Sequence, residues 1–310
     1  MWETGQNIVV RLRPDLCQTV LVLGAGASAH LGFPLGPELC SKIIDNTSDS
    51  NASSFKELCE MRFPNESISS FHDQLNKSYP HSIDEFLSDR PEFIDVGRAA
   101  IGQVVIACED EKRLRRRDDN WYGLLRNRIK ADIERNECRP IIVTFNYDLS
   151  LEKFLYDFAA STFPRYASIN SLKDVVRILH VHGRLGYLDY EVTNSPRRSY
   201  GGHHSPSEIL AASQGIRVPS QLDSDHGKNM LTAQEAIKQA KCVIFLGFGY
   251  DDMNLERLRV GMYEPGKYFG TAYGLESPRN HDLSDMGISL GDRGLRISDY
   301  LASLTCWTVN

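Results

Sequence analysis

The stretch that most constrains this chain is Thr19-Val20-Leu21-Val22-Leu23 followed at once by Gly24-Ala25-Gly26-Ala27-Ser28. An aliphatic, β-branched run without a charged break reads as a buried parallel strand. Glycines directly after it let the backbone turn sharply and come close to a neighbour, because no Cβ stands in the way. The residues from Ala27 to His30 read as the first turn of a helix. Strand, glycine turn and helix N-terminus together predict an α/β fold with an anion site, where free N–H groups and the positive dipole end face a phosphate. A lone Gly-x-Gly is common to many tight turns, and the full dinucleotide fingerprint is not met. Ala29 stands where the third glycine belongs, and the next glycine is Gly32. Asp45 has about the offset of the expected ribose-binding acid, but it follows Lys42-Ile43-Ile44, the end of a helix rather than of a second strand. An ordinary dehydrogenase is therefore disfavoured.

Three further apolar runs read as parallel strands that end in chemistry-bearing residues. Pro140 to Phe145 runs into Asn146-Tyr147-Asp148. Arg177 to Val181 runs into His182-Gly183. Cys242 to Leu246 runs into Gly247-Phe248-Gly249. In an open parallel sheet, ligands collect at the carboxyl ends of the strands. Asn146 and Asp148 also fit an N-cap for a helix over Leu149 to Phe158. His180 and His182 would share a face if the strand continued to both, and His182, beyond the apolar run, is the stronger site candidate. A fifth strand is predicted at Tyr268 to Tyr273 and a terminal one at Leu304 to Val309.

Between these strands, Gly32-Phe33-Pro34-Leu35-Gly36-Pro37 reads as a stiff loop, Glu38 to Ile44 as a short helix, and residues 45 to 55 as a polar surface loop. Residues 56 to 136 read as mainly helical, with a capping box at Ser82 and Glu85, and the insertion between the first two strands is expected to cover an edge of the sheet. The basic run Arg113 to Arg117, next to Asp118 and Asp119, reads as a solvated helix end. Residues 184 to 232 read as irregular, a candidate lid. His203 and His204 lack companion ligands at metal spacing. Thr232 to Ala240 reads as a short helix, and Asp251 as the cap of another running toward Val260.

Bulk properties exclude several classes. The 310 residues carry a net charge of −6, which gives no global reason to bind nucleic acid or an acidic membrane. No apolar run approaches the roughly 18 residues of a membrane span. Met1 to Gly5 lacks the features of a secretory leader. Seven cysteines lie dispersed, with no two in a Cys-x-x-Cys spacing, which predicts reduced thiols in a cytoplasmic chain.

The order of the four strand ends resembles the sirtuin fold, a Rossmann-like doubly wound parallel sheet. The resemblance spans roughly residues 18 to 275. It is nearer to the sirtuin-like proteins of prokaryotic antiphage defence. The similar stretches are Gly24-Ala25-Gly26-Ala27-Ser28 followed by Gly32-Phe33-Pro34-Leu35, then Ser82 to Leu87, then Thr144-Phe145-Asn146-Tyr147-Asp148. It implies one NAD-binding domain over 1–310, with a helical insertion at about 45–136 and the lid at about 184–232. It implies that Gly24, Ala25, Gly26, Ala27 and Ser28 grip the NAD⁺ phosphates, and that Pro34 belongs to the same cofactor site. Asn146 and Asp148 would hold the ribose and the nicotinamide, His182 would be the general base, and Gly247, Phe248 and Gly249 would contact the adenosine side.

The chain departs from protein-deacylating sirtuins. No cysteine falls between Cys138 and Cys242, where their zinc module would lie, and Pro34 is followed by Leu35-Gly36-Pro37 instead of an Asp-Phe-Arg run. Relatives without these parts typically hydrolyse NAD⁺, an abortive-infection effector activity. The expectation is therefore a metal-independent NAD⁺ hydrolase with Asn146 and His182 as catalytic residues. Its control would come from a homo-oligomer, a regulatory partner protein, or both. The alternatives are an NAD-dependent deacylase and a non-catalytic nucleotide sensor.

Overall fold

The structure, a computed structural model, describes residues 19–166, 172–218, 224–262, 264–275, 282–305 and 307. Met1 to Gly5, Cys17 and Cys306 lie outside these residues. The core is a six-stranded, wholly parallel sheet, an α/β architecture of the Rossmann-like, doubly wound kind. Its strands are β1 (Thr19–Leu23), β2 (Ile141–Thr144), β3 (Arg177–His180), β6 (Cys242–Leu246), β7 (Tyr268–Gly270) and β8 (Ile288–Leu290), in the order β3-β2-β1-β6-β7-β8. β1 lies between β2 and β6, with Val20 opposite Ile141 on one side and Val243 on the other. The chain winds outward from β1 in both directions, so the topological switch point falls between β1 and β6.

Alternate residues of the central strands feed two cores, as the pleat requires. Leu21, Leu23, Ile142, Ile244 and Leu246 belong to one. Val20, Val22, Val143, Val243 and Phe245 belong to the other. On the first face pack α1 (Gly36–Ser48), α2 (Ser53–Glu60), α3 (Asn65–Ser78), α4 (Ile83–Asp89), α5 (Ile94–Ala107), α6 (Glu111–Leu114), α7 (Tyr122–Glu134) and α8 (Ser150–Thr162). The insertion thus covers a face of the sheet and not an edge. Its α5 is buried at every position from Val96 to Ile106, with Arg98 and Gln103 as polar members among apolar and small residues, as befits a helix packed within a layer. α10 (Ser224–Gln239) and α11 (Asp252–Arg257) cover the second face through Ala233, Ile237, Leu255 and Leu258.

Several expectations change. α1 runs to Ser48 and α2 begins at Ser53, so only a few residues of the predicted 45–55 loop are non-helical. Among its described residues, the region 184–232 is irregular over most of 184–205 and largely helical beyond. It holds β4 (Tyr187–Leu188) and β5 (Arg197–Arg198), which pair with each other, then α9 (Pro206–Ser213) and the start of α10. A capping box at Ser205 and Glu208 with Pro206 in the first turn starts α9, a sequence-visible device. The predicted terminal strand is absent over its described part. α12 (Ile297–Ser303) precedes it, and Leu304, Thr305 and Trp307 form a turn; the remaining residues of that stretch lie outside the described ones.

Candidate functional site

Every glycine of the first turn and the leading glycine of the fourth are committed to each other. Gly24 N–H donates to Leu246 O at 3.1 Å and Gly26 N–H to Gly247 O at 2.9 Å. A Cβ on Gly24 would lie 2.7 Å from Gly247 O, and one on Gly247 would lie 2.2 Å from Ala27 N, with φ at Gly247 already +56°. Only glycine permits that approach and that dihedral. Ala27 and Ser28 N–H groups close local turns onto Gly24 O and Ala25 O, and Gly247 N–H binds Thr271 Oγ1 at 2.9 Å. The expected row of free N–H groups at an α-helix start is therefore corrected. Two short 3₁₀ turns follow, Ala25–Ala27 and Ala29–Leu31, and most of the donors are already spent. The two loops close the switch point by backbone-to-backbone packing.

The concave site lies to one side, over β1, β2 and β3. A cavity of about 150 Å³ is lined by Ala25, Ser28 and Pro34 from the first loop, Asn146 and Asp148 after β2, and His182 after β3, together with Asp84. Six of the twelve predicted site residues thus meet in one place. Gly24, Gly26, Ala27, Gly247 and Phe248 stand behind it as packing. The Phe248 ring is buried against Phe145, Phe245 and Tyr250. Gly249 is exposed, with no atom within 4 Å of where its Cβ would be.

Ser28 is the centre of a buried polar network. Its hydroxyl donates to Asp148 Oδ2 at 2.8 Å and accepts from Asn146 Nδ2 at 3.2 Å, and buried Tyr122 bonds it too. Asp148 Oδ1 accepts the Ser150 N–H at 3.0 Å, a cap for the start of α8. Burial pushes the Asp148 carboxyl above the ordinary range against the pull of these bonds. The network fixes the Asn146 amide at the cavity wall. Thr144 Oγ1 holds the Asn146 N–H at 3.1 Å.

The two histidines part company. β3 ends at His180, so they do not continue on one strand face. His180 Nδ1–H donates to Asn146 O at 3.0 Å, since a carbonyl can only accept, and Nε2 is paired with the buried Glu152 carboxylate. It is a structural strut beneath Asn146. His182 is also buried, but its Nε2 has no hydrogen-bond partner, and the ring faces the cavity beside Phe145, edge-on at 5.0 Å. Burial holds the imidazole below the usual histidine range, with Arg257 pushing the same way and Asp84 and Asp251 opposing. A neutral imidazole that lines a cavity and keeps one nitrogen unpartnered has what a general base requires. The turn that presents it needs Gly183, at φ +71°, where a Cβ would meet Gly215 O at 2.1 Å.

Sequence reasoning did not place Asp84 and Tyr147 in the site. Asp84 lies in the first turn of α4, which Ser82 caps by accepting the Glu85 N–H at 3.2 Å. The Glu85 carboxylate accepts from His81 N–H instead of completing the box with Ser82. Tyr147 O–H donates to Asp84 Oδ1. The helix start was legible, but not the site that it faces.

The predicted lid takes no part. Among the described residues, none of 184–232 lines this cavity. That region is instead pinned to the insertion by Arg198, whose two terminal nitrogens grip both oxygens of Glu109 with both side chains buried. His204 Nε2–H donates to Gly201 O at 3.1 Å, and no cluster of potential metal ligands occurs among the described residues. Arg113, at the head of the basic run, reaches back to donate to Leu31 O at 3.2 Å. Among the described residues no helix is long and apolar enough to cross a membrane. No protein-family model matches the chain, and no curated protein does.

Proposed function

We propose that the protein is an NAD⁺ hydrolase that cleaves the bond between nicotinamide and ribose. One observation carries this reading: a buried, neutral His182 with an unpartnered Nε2 shares a small cavity with the fixed amide of Asn146. The sequence resemblance to sirtuin-like NAD⁺-hydrolysing proteins supports it from a second side. Nicotinamide in NAD⁺ carries the positive charge, so it leaves with the bonding electron pair as a neutral molecule and the ribose becomes oxocarbenium-like. Water then adds to the vacated carbon, and its proton passes to His182 Nε2, directly or through a ribose hydroxyl. Asn146 orients the water or the ribose hydroxyls, and Asp148 faces the nicotinamide. A placed base contributes about 10²–10⁴-fold, with orientation of the water adding a comparable amount.

The cavity of about 150 Å³ is smaller than the roughly 300–1,000 Å³ of typical ligand sites. It suits the nicotinamide–ribose end of the substrate, with the adenosine half lying outside over the loops. No metal enters this scheme. We place the protein in the cytoplasm as a gated effector of antiphage defence, controlled by self-association or a partner protein. The test is nicotinamide release from NAD⁺ by the purified protein beside Asn146→Ala and His182→Ala. Release by the native chain and its loss in both variants is the expected result. Undiminished release in both variants refutes the site. NAD⁺ binding without release favours the sensor alternative.

A further inference from the structure

The insertion supplies a carboxylate to a site otherwise built from strand ends. Asp84 Oδ1 lies 3.8 Å from His182 Nδ1, and the same oxygen accepts the Tyr147 hydroxyl. Tyr147 is buried and immediately follows Asn146, so it ties the carboxylate to the β2 end of the cavity. The separation is just beyond hydrogen-bond reach. His182 Nε2, on the opposite edge of the ring, has no partner. The charged groups facing the ring are Asp84 from α4, Arg257 from α11 and Asp251 before it. Of these Asp84 has an oxygen near a ring nitrogen.

We infer that Asp84 is a positioning residue that keeps the His182 hydrogen on Nδ1 and leaves the Nε2 lone pair free to accept a proton. An imidazole whose one nitrogen donates to a carboxylate keeps its other nitrogen free to accept a proton, and the carboxylate then stabilises the imidazolium that forms. Tyr147 limits this effect, because its hydroxyl draws on the same oxygen. The catalytic consequence rests on the hydrolase reading; the tautomer and its coupling to Asp84 are properties of the free protein.

The experiment uses the full chain with ¹⁵N-labelled histidine. His182 is assigned among the nine histidines by its loss in His182→Gln, and ring tautomer and titration are followed by NMR. The expected result is a neutral ring protonated on Nδ1. Asp84→Asn removes the negative charge, so the midpoint falls, by about one unit. Tyr147→Phe frees the carboxylate, so the midpoint rises. The opposite signs separate coupling from general damage to the fold, and Tyr147→Phe serves where Asp84→Asn does not fold. A hydrogen on Nε2, or a midpoint that neither variant moves, overturns the inference.

NAD⁺ hydrolysis is measured in parallel. Asp84→Asn is expected to lower kcat about tenfold or more with KM unchanged, to shift the acid limb of the rate profile to lower pH, and to recover in part as Asp84→Glu. A raised KM with kcat unchanged makes Asp84 a substrate contact and overturns the positioning role. Coupling seen by NMR in a protein that neither binds NAD⁺ nor releases nicotinamide leaves Asp84 in its place and refutes the hydrolase.

Discussion

Gly247→Ala is the sharpest test of why two glycine turns stand at the switch point. If Gly247 serves mainly to seat one loop on another, an added methyl group harms the fold whether or not a ligand is present. The structure sets the cost. An alanine at φ +56° costs about 1–2 kcal/mol. The Cβ would overlap Gly26 and Ala27 backbone atoms at 2.2 Å, and relieving such an overlap costs about 1–3 kcal/mol. Moving the loops apart also weakens the Gly26 N–H to Gly247 O bond, worth about 1 kcal/mol. Together these predict about 3–6 kcal/mol, a large share of a typical stability of about 5–15 kcal/mol. Gly249→Ala, two residues on, is the control. Nothing lies within 4 Å of its added methyl, so it should be neutral or stabilise by a few tenths of a kcal/mol. Urea unfolding of both variants, compared at constant m, reads the difference. A Gly247→Ala protein within about 0.5 kcal/mol of Gly249→Ala refutes the packing account and returns Gly247 to ligand binding.

Other outcomes follow from the same physics. Breaking the buried Glu109–Arg198 pair with Glu109→Ala should cost about 3–5 kcal/mol. Asp73→Ala, which removes an exposed partner of Lys77 at 4.0 Å, should cost under about 1 kcal/mol; urea unfolding compares the two. Because burial depresses His182, which must be neutral to act as a base, kcat/KM for NAD⁺ should stay level through pH 7 and fall only as acid protonates the ring below the ordinary histidine range. A fall that begins near pH 8 contradicts that role. Cys40 is buried, with its thiol pushed up to about 11, whereas Cys138 is exposed. Alkylation at pH 7 followed by mass mapping should therefore label Cys138 well before Cys40.

The parallel core was legible because β1, β2 and β6 are buried on both faces and so appear as nearly unbroken apolar runs. β8 escaped notice for the opposite reason: it is three residues long, with Ser289 exposed at its middle. The α9 cap at Ser205, Pro206 and Glu208 was obscured by the Gly201-Gly202-His203-His204 run before it. His182 could be preferred to His180 from its place beyond the apolar run, since a strand that stops at residue 180 leaves the next turn to aim residue 182. Asp84 could not be found this way. Its partner is 98 positions distant in sequence, and nothing in the pattern of α4 indicates which neighbour its first turn faces. The glycines were assigned to phosphate because a sequence cannot distinguish a backbone that approaches a ligand from one that approaches another loop.

The placement of β1 has a consequence for how the chain is made. Its two neighbours are unequal in time: β2 ends at Thr144, whereas β6 starts at Cys242. At about 5–20 residues per second, a ribosome needs roughly 5–20 s to cover that interval. Throughout it, one edge of an aliphatic strand stands with unmet backbone donors and acceptors, the kind of edge that recruits another chain. The half-finished protein is therefore the vulnerable species, and a nascent-chain chaperone acting before residue 242 emerges would raise its yield more than any stabilisation of the completed fold.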